Sequence, residues 1–228
     1  QWLACQPRAA AGTLKWPDRI VQYSERPRWA GLKRQGTSVI ADCRKWLLTA
    51  LMLLGLAAVP PAWAQKVRLA TSAGDIVIEL DRDKAPKTVD NFVQYVKAGH
   101  YDGTIFHRVI PGFMIQGGGM KPDMSEKTTR AAIALEARNG LNNVRGSVAM
   151  ARTAVPDSAT AQFFINLADN IFLDAANSRD GHGYAVFGKV VDGMAVVDKI
   201  RDAPTGNRGP HQNVPLNDIV IRKATLEK

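Results

Sequence analysis

The sequence predicts a mainly β domain, an antiparallel barrel or sandwich whose ends are covered by two helices. Three observations predict it. About eight short runs are apolar in alternation or throughout, clusters of Gly, Pro and Asn separate them, and only two stretches show a helical period, so strand and helix do not alternate strictly. All of these features lie after residue 64.

Lys66 to Thr71 sets Val67 and Leu69 between polar neighbours, and Ser72-Ala73-Gly74 supplies a turn. Asp75 to Leu80 then alternates again through Ile76, Ile78 and Leu80, so the two runs read as a hairpin. From Pro86 to Ala98 the spacing changes: Val89, Phe92, Val93 and Val96 recur at three and four, with Pro86 in the first turn and Gly99 as the stop, which predicts an amphipathic helix. Strand-like runs follow at Ile105 to Ile110, Phe113 to Gln116, Ser147 to Ala151, Gln162 to Asn166, Tyr184 to Val190 and Asp218 to Leu226. A second helix fits Met194 to Arg201, ahead of Pro204.

The chain joins two kinds of sequence. All five tryptophans and both cysteines precede residue 65, whereas all seven phenylalanines follow it. Residues 65–228 hold 21 Lys and Arg against 18 Asp and Glu, so the first 64 residues carry +6 of the total charge of +9. The high overall charge therefore says little about the body, which has no basic cluster or stripe and gives no nucleic-acid reading. Arg44-Lys45, the apolar run Leu47 to Val59 and the small-x-small triplet Ala62-Trp63-Ala64 have the layout of a signal peptide over 44–64. The run is too short to cross an apolar layer of about 30 Å, and Pro60-Pro61 closes it. This predicts export to the periplasm, cleavage after Ala64 and no stable membrane association afterwards. Residues 1–43 lack apolar periodicity and any Met, which reads as an unstructured or spurious upstream segment. The body, 65–228, is then one cysteine-free domain, indifferent to redox conditions.

Chemistry concentrates in Phe106-His107-Arg108-Val109-Ile110-Pro111-Gly112-Phe113-Met114-Ile115-Gln116-Gly117-Gly118. An arginine and a glutamine stand there on apolar strands, where each must be solvated or paired. Taken alone, Arg108 also fits a surface ion pair. Gln162-Phe163-Phe164-Ile165-Asn166 again puts Gln162 and Phe164 on one face. Polar heads among large apolar side chains suggest an apolar pocket with a few directing groups. His100, His107, His182 and His211 lack metal-ligand spacing, no serine lies in a G-x-S-x-G elbow, and Gln116-Gly117-Gly118-Gly119 matches no phosphate loop. No cofactor or metal is expected.

The run from Phe106 to Gly118, the run from Gln162 to Asn166, and Tyr184-Ala185-Val186-Phe187-Gly188-Lys189-Val190 resemble cyclophilin motifs in that family's order and near its spacing. The likeness extends from about Val67 to Leu226 and is nearest to bacterial periplasmic cyclophilins. It implies a closed eight-stranded antiparallel barrel capped by two helices, with a peptidyl-prolyl isomerase groove on its outer face. It also implies Arg108 as the catalytic residue. The groove is then lined by His107, Phe113, Met114, Gln116, Ala151 and Arg152, together with Gln162, Phe164, Phe172, Leu173 and Tyr184. Strict alternation sets Phe113 opposite Met114 and Gln116, so the chain must bend near Pro111-Gly112.

Phe172 stands where many eukaryotic members have Trp, Tyr184 where they have His, and Arg152 where they have Asn. The loop Thr153 to Ala161 is one residue longer. These departures bear on cyclosporin, for which weak binding is expected, and on sequence preference. The partners implied are Pro-containing unfolded or flexible polypeptides, met by a monomer. The alternative from another class is a non-catalytic periplasmic chaperone that grips Pro-containing segments.

Overall fold

The computed structural model describes residues 65–227, so the readings of 1–43 and 44–64 lie outside the described residues. Its elements are β1 (Lys66–Thr71), β2 (Asp75–Leu80), α1 (Pro86–Lys97), β3 (Thr104–Ile110), β4 (Met114–Gly117), β5 (Ser147–Met150), β6 (Phe163–Asn166), β7 (Val186–Asp192), α2 (Met194–Arg201), β8 (Thr205–Arg208), β9 (His211–Pro215) and β10 (Val220–Glu227). The eight strands expected from the pattern are the ones that close, in the order β1-β10-β3-β4-β6-β5-β7-β2, with every neighbouring pair antiparallel. A barrel is therefore correct and a sandwich is not.

Alternation fills the interior. Val67, Leu69, Ile76, Ile78, Ile115, Val148, Phe163 and Ile165 point inward and are fully buried. Helix α1 adds Val89, Phe92 and Val96 to the same core, and the Phe92 ring meets Phe163 edge-on at 5.6 Å and Phe187 at 4.9 Å. Such a filled interior leaves no room for a ligand, so any binding surface must lie outside the barrel. No side chain beside the N-terminus of α1 caps it. Instead the Glu136 carboxylate accepts from Thr88 N at 2.8 Å and Lys87 N at 3.2 Å, answering both the unpaired donors and the helix dipole from a distant loop. Helix α2 starts at Gly193 with φ 87°, where a Cβ would lie 2.2 Å from the Asp75 carbonyl oxygen, so only glycine fits.

Two features depart from the pattern. The hairpin β8–β9 is absent from the sequence reading because Thr205-Gly206-Asn207-Arg208 and His211-Gln212-Asn213 carry no apolar alternation. It is pinned instead by Arg208, whose Nη1 donates to Asp218 at 2.8 Å and to the Pro122 carbonyl at 3.1 Å. The strand expected from Tyr184 starts at Val186, because Tyr184 N bonds to the Leu173 carbonyl at 2.9 Å, and the one expected from Phe113 starts at Met114, because Phe113 lies in a turn.

Candidate active site

The site grows from an irregularity in β3. Phe106 pairs with Gly117 and Arg108 with Gln116, so His107 is an extra residue and the strand bulges there. Phe106 and Val109 are three apart and would face opposite sides of a regular strand, yet both are fully buried in the core. The bulge satisfies both and turns Arg108 outward. The bend expected near Pro111-Gly112 is present: Phe113 N donates to the Ile110 carbonyl at 3.0 Å around Gly112, whose φ is 74°. This turn frees Phe113 from strand alternation and lets it join Met114 on the outer face.

That outer face is a second apolar cluster, separate from the barrel core. Met114 from β4, Ala149 from β5, Phe164 from β6, Val186 from β7 and Leu173 from the short 3₁₀ turn Ile171–Leu173 are buried together. Ile110, Phe113, Leu141, Ala151 and Tyr184 are partly buried around them. Phe172 is 53% exposed and stacks on Phe113 with ring centres 5.7 Å apart, while Tyr184 meets Phe164 edge-on at 5.7 Å. The result is a greasy groove with a rim of aromatic rings.

One edge of the groove is polar. Arg108 is exposed, its Nη1 lies 3.5 Å from Gln116 Oε1, and Gln116 Nε2 donates to Gln162 Oε1 at 2.8 Å. Among the described residues no carboxylate lies within ion-pair reach of Arg108, which sets aside the surface ion pair. A guanidinium held only at the limit of a hydrogen bond keeps most of its donors for a ligand. Gln162 is itself fixed: a Cβ at Gly119 would lie 2.5 Å from its Cγ, so the glycine opens the space that Gln162 fills.

Arg152 lies beside Tyr184 with its side chain only 2% exposed. It pairs with Asp180, donates from Nε to the Gly183 carbonyl at 2.8 Å, and lies 4.6 Å over the Tyr184 ring. The Arg152 hydrogen bond, followed by backbone donors from His182 and Gly183, holds the Asp180 carboxyl well below the usual carboxylate range. Its guanidinium is thus spent on the wall, and within the described residues the Arg152 backbone takes part in no hydrogen bond, so what it offers a peptide is main chain.

Of the residues singled out in the sequence, the structure gathers Phe113, Met114, Ala151, Phe164, Phe172, Leu173 and Tyr184 into the groove, and Arg108, Gln116 and Gln162 along its polar edge. His107 is the bulged residue of β3. It is buried, its Nδ1 has no hydrogen-bond partner, and burial pushes the imidazole down to about 4, with repulsion from His211 and Arg108 adding to this against an opposing pull from the Ile105 backbone. Ala149, Val186, Leu141 and Ile110 belong to the groove but were missed, because short apolar residues carry no signal that separates pocket from core. Asp180 and Gly183, which hold Arg152, were missed because nothing local marks a contact about thirty residues away.

A closed antiparallel barrel with an external apolar groove, an exposed guanidinium on its edge and unpaired main chain at Arg152 is a peptide-binding β-barrel of the cyclophilin class. The family model described as cyclophilin type peptidyl-prolyl cis-trans isomerase matches residues 66–226. The chain is 54% identical over 189 residues to peptidyl-prolyl cis-trans isomerase A of Dickeya dadantii, spanning 81% of this chain and 98% of that one. It is 56% identical over 163 residues to peptidyl-prolyl cis-trans isomerase B of Escherichia coli, spanning 71% and 99%. Among solved structures, a Cryptosporidium parvum cyclophilin type isomerase superposes with a TM-score of 0.60 at 27% identity, covering 72% of this chain and 98% of that one, and that isomerase has also been solved in the presence of the dipeptide Ala-Pro. The chain belongs to the cyclophilin-type peptidyl-prolyl cis-trans isomerase family and is an isomerase of that type.

Proposed function

We propose that Arg108 is the catalytic residue and that the groove acts on X-Pro bonds of exported proteins while they fold. The observation that carries the catalytic assignment is the exposed Arg108 guanidinium on the edge of a buried apolar cluster, loosely tethered through Gln116 to Gln162.

Rotation about a peptide bond is opposed by about 18–20 kcal/mol of amide resonance. At the twisted geometry the proline nitrogen regains its lone pair and becomes a hydrogen-bond acceptor, which it is not in the planar amide. Arg108 donates to that nitrogen, so its bond strengthens as the amide twists. Phe113, Met114, Phe164 and Leu173 hold the ring and exclude water, which favours the less dipolar twisted amide. The Arg152 main chain holds the flanking peptide extended. Lowering the barrier by about 5 kcal/mol accelerates the flip roughly 10³ to 10⁴-fold. No bond to the enzyme forms, so no nucleophile is required.

The test compares NMR exchange rate with affinity for one X-Pro peptide. Arg108→Ala should depress exchange severely while affinity falls only modestly and the thermal midpoint hardly moves, because an exposed side chain carries little folding energy. Arg108→Lys should rescue in part, since an ammonium keeps the charge but loses the planar fork. Exchange within about twofold of wild type in Arg108→Ala would remove Arg108 from the mechanism and favour the non-catalytic chaperone. The exported setting rests on the 44–64 layout and on a body without cysteine. A monomer, and weak cyclosporin binding through Phe172, complete the proposal.

A further inference from the structure

Behind the groove wall lie three asparagines that the isomerisation step does not use. Asn143 and Asn166 are completely buried and Asn170 is 3% exposed. Burying three amides where apolar side chains would pack is favourable only if every polar atom is satisfied. What such a network supplies in return is direction, because hydrogen bonds fix positions that apolar packing leaves adjustable.

The bonds run in one consistent sense. The Phe113 carbonyl can only accept, so the Asn170 amide must present Nδ2 to it, at 2.8 Å. The same Nδ2 donates to Asn166 Oδ1 at 2.7 Å, which leaves Asn166 Nδ2 to reach Asn143 Oδ1 at 3.2 Å and Ser147 Oγ at 2.9 Å. Asn143 Nδ2 then donates to Asp174 Oδ1 at 2.9 Å, and a weaker contact reaches the Tyr184 carbonyl at 3.4 Å. Asn143 N also donates to Asp174 at 2.7 Å, and the turn bearing Phe172 and Leu173 is fastened at its start by Asn170 N to the Asn143 carbonyl, at 2.7 Å.

The chain of amides therefore ties together the backbones of Phe113, the Ile171–Leu173 turn and Tyr184. These are the groove walls that do not belong to the regular ladder of the barrel. It shares no hydrogen bond with the line from Arg108 through Gln116 to Gln162. We propose that Asn170, backed by Asn166 and Asn143, is a positioning residue that sets the width of the apolar pocket and thereby selects a five-membered imino-acid ring. The inference rests on the isomerase activity but assigns ring selection to residues outside the turning step.

The experiment uses the full chain and two peptides that differ only in the reacting residue, proline or its six-membered homologue pipecolic acid. The readout is the ratio of kcat/KM for the two peptides. Partial unfolding lowers both values by the same factor and cancels, so a merely structural role leaves the ratio unmoved. One extra methylene in a shaped apolar pocket is worth roughly 10 to 200-fold, which is the preference for proline expected of wild type. Asn170→Leu, equal in shape but without the amide, should narrow that preference about tenfold, mainly by raising KM for proline. If Asn170→Leu does not fold, Asn166→Ser breaks the same chain one link further in and should act in the same direction. An unchanged ratio in a folded variant, or a wild type indifferent to ring size, overturns the inference while leaving the isomerase activity standing. A wild type that accelerates neither peptide overturns both.

Discussion

Replacing His107 with leucine should remove most of an acid-side loss of stability. In the unfolded chain this imidazole titrates near 6.5, and in the folded chain burial holds it at about 4. Between those values the unfolded chain binds a proton that the folded chain refuses. Stability contributed by the neutral, buried ring is therefore complete above pH 6.5 and is lost as pH falls toward 4. A gap of about 2.5 pH units, at about 1.4 kcal/mol each, gives about 3 kcal/mol lost at the bottom of the window. For a domain of this size that is a large share of a total of roughly 5–15 kcal/mol.

The carboxyls that the fold holds low titrate below this window. Asp123, Asp180 and Asp202 are all held below 3.8 by hydrogen bonds, so the stability that they contribute is lost only at lower pH, beneath the histidine window. His100, also lowered by burial, acts in the same sense as His107 and leaves a residual slope in the variant. Urea unfolding of wild type and His107→Leu between about pH 7.5 and about pH 4.5 measures the difference. Leucine leaves no polar atom where Nδ1 now lacks a partner, so the variant should lose little at neutral pH. Parallel curves, with the same acid loss in both proteins, would refute the reasoning, as would a wild type whose stability is flat across the window.

Phe172→Trp should tighten cyclosporin binding in calorimetry, because the exposed ring at the groove rim gains apolar area and an indole N–H donor; no gain would move the cause to Tyr184 or the loop Thr153 to Ala161. Gly119→Ala should lower turnover several-fold while the protein stays folded, since the new Cβ displaces Gln162 and unties Gln116; an unaltered rate in the peptide assay would show that the line from Gln162 to Arg108 is dispensable. N-terminal sequencing of periplasmic material should begin at Gln65, and a mature chain that keeps Leu47 to Val59 would mean an anchor instead.

The strands were legible because each is a short apolar run bounded by Gly, Pro or Asn, and β1 alternates strictly, a signal that survives without any neighbour in view. Period two cannot show an extra residue, so the bulge at His107 was invisible and His107 read as a groove residue beside the catalytic candidate Arg108. Resemblance supplied what pattern could not, which was the closure and the identity of the groove. What neither supplied are contacts made at a distance by ordinary residues: Glu136 capping α1, Asp180 holding Arg152, and three asparagines, one of them at the end of β6, that join in one network. Their residue types are common in loops for local reasons, and only the folded chain shows that these particular ones are buried or paired.

The groove follows from a difficulty that any filled barrel has. Inward positions of β4, β5 and β6 are taken by Ile115, Val148, Phe163 and Ile165, yet the outward positions Met114, Ala149 and Phe164 are apolar too. Left bare, they would form an exposed patch prone to association. The Ile171–Leu173 turn and Tyr184 cover them only in part, and those covering segments lack ladder hydrogen bonds of their own. Something other than the sheet must then hold them at a fixed height, and the buried amides do so from beneath. A rigid polar support under an apolar surface lets the surface stay open to a proline ring without collapsing onto itself. If Arg108 and Asn170 have the roles proposed for them, turnover and ring choice depend on different residues and variants at the two positions should be separable: the first should change the rate for every X-Pro peptide, the second which ring is accepted.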